Sequence, residues 1–344
     1  MKAAVLYGKE DVRLEQRPVP EPGPGEVLVR IQAALTCGTD LKVFRNGGHA
    51  KMLEAIPALF GHEFAGLIEK IGPGVAGRRP GQRVVAANSA PCRSCFYCKR
   101  KQPNLCEDLL FLNGAYAEYL LLPARIVKEN LLEIPENLSF RAAALTEPLA
   151  CVLRGFQAAA PRAGETVAIL GAGPVGLLFV QLARKAGCKV IVTGKGKQRL
   201  EAARNSGAEL IVDLSQTQDA VQKVRQATPE GKGADVCIEA VGRPQAWEQA
   251  ISVVRPGGRV LLFGGCPAGT QVALETRRIH YDELSILSVF HHTPEAIRQS
   301  LGLLADGSIQ PELLITRDAP LDDLPGILRQ MLTDQDAVKT AILP

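Results

Sequence analysis

At 344 residues the chain is longer than one hydrophobic core ordinarily fills, so two domains are expected. Hydrophobic residues at 46%, charged residues at 22% and a net charge of +4 describe an ordinary globular protein with no basis for general attraction to nucleic acid or membrane. Met1 opens no charged-then-apolar leader and no apolar run reaches about 18 residues, so neither secretion nor membrane spanning is indicated and the cytoplasm is the expected address.

In chain order, alternating patterns at Lys2 to Leu6 and Val27 to Ile31, separated by Pro18, Pro20, Pro22, Gly23, Pro24 and Gly25, predict short strands and turns. Val84 to Ala87 and Tyr116 to Leu122 continue a mostly β first domain, and Ala142 to Ala160 reads as a helix. Among nine cysteines, Cys92, Cys95, Cys98 and Cys106 follow C-x2-C-x2-C-x7-C. That spacing suits a tetrahedral Zn²⁺ with four thiolates and no open position, a structural clamp; unpaired buried thiols or an iron-sulfur site are the alternatives. The nearby run Lys99, Arg100, Lys101 reads as a solvated loop. A second, dispersed constellation consists of Cys37 in TCGTD, His62 and Glu63 in GHEFAG, and Glu147 in TEPLA. Singly these are core or cap residues; together they form a ligand set that Zn²⁺ accepts while keeping a position for water or substrate.

Thr166 to Gly176, TVAILGAGPVG, is strand, tight turn, helix: Gly171 makes the turn, Gly173 lets a pyrophosphate approach, and Gly176 lets helix pack on strand, with Pro174 and Val175 opening the helix. Strand and helix patterns then alternate to Phe263, predicting a doubly wound parallel sheet. Val241, Gly242, Gly264 and Gly265 fall just past strand ends, where dinucleotides bind and where simple turns also occur. After the second strand stand Gly194, Lys195, Lys197 and Arg199 with no carboxylate, which removes repulsion toward a 2′-phosphate and predicts NADP over NAD; three exposed cations on a helix start are the alternative. His291 and His292 read either as substrate-binding imidazoles or as an exposed pair, and His49 as a loop imidazole. Helices at Pro294 to Ala305 and Leu321 to Leu332, with strands near Leu313 to Thr316 and Thr340 to Leu343, complete the first domain.

Gly61, His62, Glu63, Gly66, Gly72 and Val75, with CGTD, the four-cysteine lobe, EPLA and GAGPVG, resemble the zinc-containing medium-chain alcohol dehydrogenases along the whole chain. EPLA resembles the sorbitol (polyol) dehydrogenase branch, where Glu replaces Cys. The resemblance implies an α/β architecture: a GroES-like, mostly β catalytic domain over 1–155 and 291–344, and a Rossmann domain over 156–290. It implies two zinc ions per subunit, the catalytic one held by Cys37, His62 and Glu147 with Glu63 ligating directly or through water, and a homodimer or homotetramer. Thr39 resembles the family's proton-relay hydroxyl, while Lys42 stands where the alcohol branch continues the relay with His. The implied activity is oxidation of a secondary alcohol or polyol with NADP or NAD. The rivals are an L-threonine or amino-polyol dehydrogenase and a non-catalytic nicotinamide-binding sensor.

Overall fold

The structure is a computed structural model describing residues 1–48, 53, 55–334 and 336–344; His49 lies outside the described residues. The chain divides into two compact units, one of Met1–Ala150, His292–Gly307 and Ile315–Pro344, the other of Cys151–His291 and Ser308–Leu314. The expected boundaries at 155/156 and 290/291 compare with these observed ones. Ser308–Leu314 counts with the second unit because helix α6 (below) holds it: Gln310 N–H donates to Gln181 Oε1 at 2.7 Å and Lys185 Nζ to Ser308 Oγ at 2.6 Å.

The first unit opens with β1 (Lys2–Gly8), β2 (Asp11–Gln16), β3 (Val27–Leu35), α1 (Gly38–Asn46), β4 (Ala58–Leu59), β5 (Phe64–Ile71), β6 (Arg83–Ala86) and β7 (Ser89–Ala90). It continues with α2 (Phe96–Lys99), β8 (Leu110–Phe111), β9 (Tyr119–Leu122), α3 (Ala124–Asn130), β10 (Leu131–Glu133), α4 (Phe140–Ala143) and α5 (Thr146–Ala159). The second unit holds β11 (Thr166–Leu170), α6 (Pro174–Lys185), β12 (Lys189–Gly194), α7 (Lys197–Asn205), β13 (Leu210–Asp213) and α8 (Ala220–Gln226). There follow β14 (Ala234–Glu239), α9 (Pro244–Val253), β15 (Val254–Leu262), α10 (Thr276–Tyr281) and β16 (Ser285–Ser288). The chain ends with α11 (Pro294–Ala305), β17 (Ile315–Pro320), α12 (Leu324–Thr333) and β18 (Lys339–Leu343).

The helix expected over Ala142 to Ala160 is broken in two. Proline has no N–H to give and is tolerated only in a first turn, so Pro148 forces a new helix to start just ahead of it. Ser139 Oγ caps α4, accepting from Ala142 N–H, and the Thr146 hydroxyl donates to the Ala143 carbonyl at 2.6 Å. Glu147 is thereby fixed in the first turn of α5.

In the first unit the main sheet runs β10-β6-β5-β3-β18-β17, with β9 also on β3. Leu28, Phe44, Phe60, Phe64, Ile68 and Leu122 are wholly buried around it. Register decides what meets at the sheet's end. β3 and β5 are antiparallel with Ala34 opposite Phe64, and β18 is antiparallel to β3 with Ala341 opposite Leu35. The end of β3 therefore lies beside the starts of β5 and β18. Thr36 and Thr340 lock this junction by exchanging bonds, Thr36 N–H to Thr340 O and Thr340 N–H to Thr36 Oγ1, both 3.0 Å. Lys339, 3% exposed, donates to Thr36 O at 2.6 Å and to Glu63 Oε2. Two signature glycines serve this packing: a Cβ on Gly66 would sit 2.2 Å from Arg30 O, and one on Gly61 (φ 91°) 2.5 Å from the Tyr116 ring.

The second unit is a six-stranded parallel sheet in the order β13-β12-β11-β14-β15-β16, the doubly wound order of dinucleotide-binding domains. Strands buried on both faces read as continuous apolar runs, which is why TVAIL and KVIVT were legible. Gly171 takes φ 114°, and a Cβ on Gly176 would lie 1.9 Å from Gly171 O, so strand and helix meet closer than any side chain permits.

Two consequences are measurable. Gly176→Ala should lower the stability of the second unit by at least about 1–3 kcal/mol, as overpacking does; an unchanged thermal midpoint would contradict that contact. Lys339→Met leaves the Glu63 carboxylate buried without its cation, and urea unfolding should register a loss of about 3–5 kcal/mol. A change under about 1 kcal/mol, the range of a surface pair, would mean that the pair is not buried in solution.

Candidate functional site

Cys37 is the N-cap of α1, its Sγ accepting from Thr39 N–H at 3.4 Å, so the partial positive charge of the helix start faces the sulfur. His62 and Glu63 occupy the two positions before β5 and are 4% and 0% exposed. The donor atoms of Cys37, His62 and Glu63 all lie within 4.8 Å of one another. Around them is a buried hydrogen-bonded chain: His62 Nδ1 donates to Asp40 Oδ1 at 3.0 Å, and the Tyr116 hydroxyl donates to Asp40 Oδ2 at 2.5 Å while standing 3.0 Å from Leu35 O. Asp40 fixes the imidazole's orientation and leaves Nε2 as the ligating nitrogen.

The electrostatics suit a cation. Burial opposes a charge on His62, yet the Asp40 carboxylate and the Cys37 thiol outweigh it and hold its pKa well above the ordinary imidazole range. Burial likewise opposes a charge on Lys339, and Glu63 overrides it, so Lys339 stays an ammonium. Glu63 Oε1 is buried with no hydrogen-bond partner among the described residues. A soft sulfur, an imidazole oriented from behind and a spare carboxylate oxygen fit Zn²⁺.

Glu147 is not in that cluster. Its carboxylate lies 3.9 Å from His292 Nε2, which bonds Asn88 Oδ1 at 2.9 Å and stands 3.4 Å from Ser89 Oγ. His292 is 2% exposed and belongs to a buried polar group, and His291 is half-buried with φ 63°, so the two imidazoles are not an exposed pair. Asn130 completes this group, donating Nδ2–H to Ser89 O at 2.6 Å. Asn88 Nδ2 and Asn130 Oδ1 have no partner among the described residues. Thr39 is half-buried in the first turn of α1, and Lys42, one turn on, is exposed.

The sulfurs of Cys92, Cys95, Cys98 and Cys106 lie within 4.8 Å of one another. Ser94 N–H and Cys95 N–H donate to Cys92 Sγ, both at 3.4 Å, and Cys92 N–H to Cys106 Sγ at 3.2 Å. Hydrogen bonds from Ser94 bring Cys92 down to about 6, whereas burial pushes Cys98 up to about 12. Four thiols so close resist full ionisation unless a cation shares the charge, which fits a structural Zn²⁺. An Arg93–Glu129 ion pair ties the lobe to α3.

In the second unit a Cβ on Gly173 would meet nothing nearer than Arg199 Nη1 at 4.0 Å, leaving the start of α6 open to an anion, with Pro174 at its first turn and Val175 next. Lys195 and Lys197 are exposed and Arg199 half-buried. Val241 Cγ2 stands 3.0 Å from where a Gly171 Cβ would be, and Gly264 packs on Gly242 N. Gly171, Val241, Gly242 and Gly264 thus gather at the ends of β11, β14 and β15. Sequence reasoning missed Asp40, Tyr116, Lys339, Asn88, Ser89 and Asn130. Only Asp40 gave a signal, a charged residue on the face of α1 that also carries buried Val43 and Phe44.

Residues 23–136 match the family model of the alcohol dehydrogenase GroES-like domain, and residues 174–306 that of the zinc-binding dehydrogenases. The sorbitol dehydrogenase of Bacillus subtilis is 31% identical, covering 100% of this chain and 97% of its own. The L-threonine 3-dehydrogenase of Pyrococcus furiosus is 37% identical over 79% of this chain and 77% of its own. A Sinorhizobium meliloti protein, provisionally described as a zinc-binding dehydrogenase and solved bound to NADP, superposes with a TM-score of 0.91 at 33% identity, over 100% of this chain and 99% of that one. Among the described residues no helix is long and apolar enough to cross a membrane. The chain belongs to the zinc-containing medium-chain alcohol dehydrogenase family, in its polyol dehydrogenase-like part, and is a zinc-dependent oxidoreductase.

Proposed function

We propose that this protein oxidises a secondary hydroxyl of a polyhydroxylated small molecule to a ketone, with NADP preferred over NAD as hydride acceptor. One zinc is held by Cys37, His62 and a carboxylate from Glu63 or Glu147, and a second, structural zinc by Cys92, Cys95, Cys98 and Cys106. The observation that carries the reading is the convergence of Cys37, His62 and Glu63 within 4.8 Å in surroundings that favour a cation. Zinc, when bound there, supplies Lewis acidity that brings the ionisation of a nearby hydroxyl toward neutral pH, as bound water falls to a pKa of about 7.

The chain's own residues do the rest. Asp40 holds His62 in one orientation, and Tyr116 holds Asp40. Thr39, half-buried in the first turn of α1, takes the substrate's hydroxyl proton as it gives up its own toward solvent, while Lys42, whose ammonium offers no accepting lone pair, does not extend the relay. The nucleotide, when bound, would supply the hydride acceptor, so that a secondary alcohol and NADP⁺ would give a ketone, NADPH and one proton. Asn88, Ser89, Asn130 and His292 beside Glu147 offer a polar wall, with two unbonded amide atoms, that suits several hydroxyls better than a hydrocarbon chain. Arg199 is the cation nearest the glycine turn and supports the choice of NADP. The protein is a cytoplasmic homodimer or homotetramer in this reading, with an assembly state that light scattering reads. A second reading, an L-threonine or amino-polyol dehydrogenase, is favoured by the 37% identity to the Pyrococcus furiosus enzyme.

A panel of polyols, secondary alcohols and L-threonine with both nucleotides separates the two readings, and turnover of L-threonine alone would replace the first by the second. Metal analysis should find two zinc ions per chain. Cys95→Ser should leave one and lower the thermal midpoint, and His62→Ala should leave the other and reduce turnover by about a hundredfold or more. One zinc in the unaltered protein, or full turnover in His62→Ala, would defeat the assignment. NADP should exceed NAD in kcat/KM by about tenfold, the worth of one charge-assisted bond, and Arg199→Ala should narrow the gap. Equal or better efficiency with NAD would remove the preference.

A further inference from the structure

β14 ends on Glu239, a carboxyl with 0% exposure on a strand whose preceding residues Val236, Cys237 and Ile238 are all buried and uncharged. Its Oε1 accepts the N–H groups of Val241 and Gly242, both at 2.7 Å, and its main-chain oxygen accepts those of Phe263 and Gly264, both at 3.0 Å. Its Oε2 has no partner among the described residues and would lie 2.8 Å from a Cβ at Gly264. Trp247, the sole tryptophan of the chain, donates its indole N–H to Gly264 O at 3.0 Å. Around this group the turns close on each other: a Cβ on Gly264 would meet Gly242 N at 2.3 Å, and one on Gly242 (φ 77°) would meet Gly265 O at 2.6 Å. Val241 in turn reaches the first glycine of the β11 loop, its Cγ2 3.0 Å from the Cβ position of Gly171.

A carboxyl at such a place is costly. Burial pushes Glu239 above the ordinary carboxylate range, and the surrounding N–H donors offset that only in part. An apolar side chain would fill the same volume without the penalty. What it would not do is satisfy two N–H groups in a turn that has no strand partner for them.

We infer that Glu239 is a positioning residue for the nicotinamide nucleotide. Through Val241 and Gly242 it holds the turn after β14 against Gly171 and Gly264, so that affinity for the nucleotide depends on it while the rate of hydride transfer in the bound complex does not. The inference rests on the reading of Gly171, Gly173 and Gly176 as the nucleotide's cradle.

The test is a titration of the zinc-loaded protein with NADPH, followed by the emission of Trp247 and by steady-state kinetics. Saturable binding by the unaltered protein checks the cradle itself, and its absence would overturn both readings. Glu239→Gln keeps an accepting oxygen and should hold the Kd for NADPH within about threefold; Glu239→Leu keeps the volume and loses both bonds, and should raise Kd and nucleotide KM by about tenfold or more with kcat within about threefold. The Leu variant should also show a shifted Trp247 emission before nucleotide is added. Should that variant not fold, Glu239→Asp, one methylene shorter, should raise Kd several-fold. Wild-type Kd in the Leu or Asp variant would sink the inference. So would a Gln variant as impaired as Leu, or a loss confined to kcat.

Discussion

Buried charge has to balance, and in the first unit that requirement ties the Cys37, His62 and Glu63 cluster to the far end of the chain. The thiol of Cys37 and the carboxyls of Asp40 and Glu63 crowd around His62, with Lys339 ion-paired to Glu63, and a divalent cation would suit such a set. Without the cation the same surroundings drive a proton onto His62, the direction in which its pKa moves. Lys339 therefore supports this candidate metal site through Glu63, whose buried carboxyl it pairs in an interior that tolerates no uncompensated charge.

The backbone explains how groups so distant in sequence are made to share one site. Cys37 follows the last residues of β3, His62 and Glu63 precede β5, and Lys339 opens β18, so three strand ends deliver them to one edge of one sheet. A one-residue slip in either pairing would turn the alternating side chains to the opposite face and scatter the set. The Thr36–Thr340 exchange pins that register where it matters. The C-terminal segment is in this sense a structural requirement of the Cys37, His62 and Glu63 cluster, which gives a physical reason for the discontinuous first unit. In the second unit the ruling device is different: glycines such as Gly176, Gly242 and Gly264 allow backbones to approach within distances that no Cβ permits, and Gly173 is left open at the start of α6.

Legibility in the sequence followed the range of the interaction. The Rossmann strands were readable because burial on both faces writes an unbroken apolar run, and the convergence of the four-cysteine lobe because its sulfurs come from within fifteen residues of one another. Cys37 and His62 were readable through motifs. Asp40 stood in plain view in TCGTD, yet its role depends on Tyr116, which reaches it across 76 residues. Lys339 meets Glu63 across 276 residues and carries no local signature at all. The split between α4 and α5 is written in Pro148, but the alanine-rich composition around it favours one continuous helix. The burial of His292 is not legible locally, because a histidine pair after a strand says nothing about Asn88, which lies 204 residues away, and leaves an exposed pair and a substrate-binding pair equally open.

The end of β12 shows how packing shapes what seems to be a choice of charge. A carboxylate there would repel a second phosphate, and at position 194 it has no room: a Cβ on Gly194 would stand 2.6 Å from the Ala172 Cβ, inside the glycine turn that β12 flanks. The cations that follow are not equivalent. Lys195 lies in the field of Asp213, whose pKa is lowered by Ser215 and, more weakly, by that lysine, and Lys197 opens α7 exposed. Arg199 is half-buried, with Nη1 4.0 Å from where a Gly173 Cβ would be, so its planar fork stands where an anion on the turn would feel it. Packing thus keeps a side chain off position 194, while at Gly173 the open space beside the turn faces the guanidinium of Arg199.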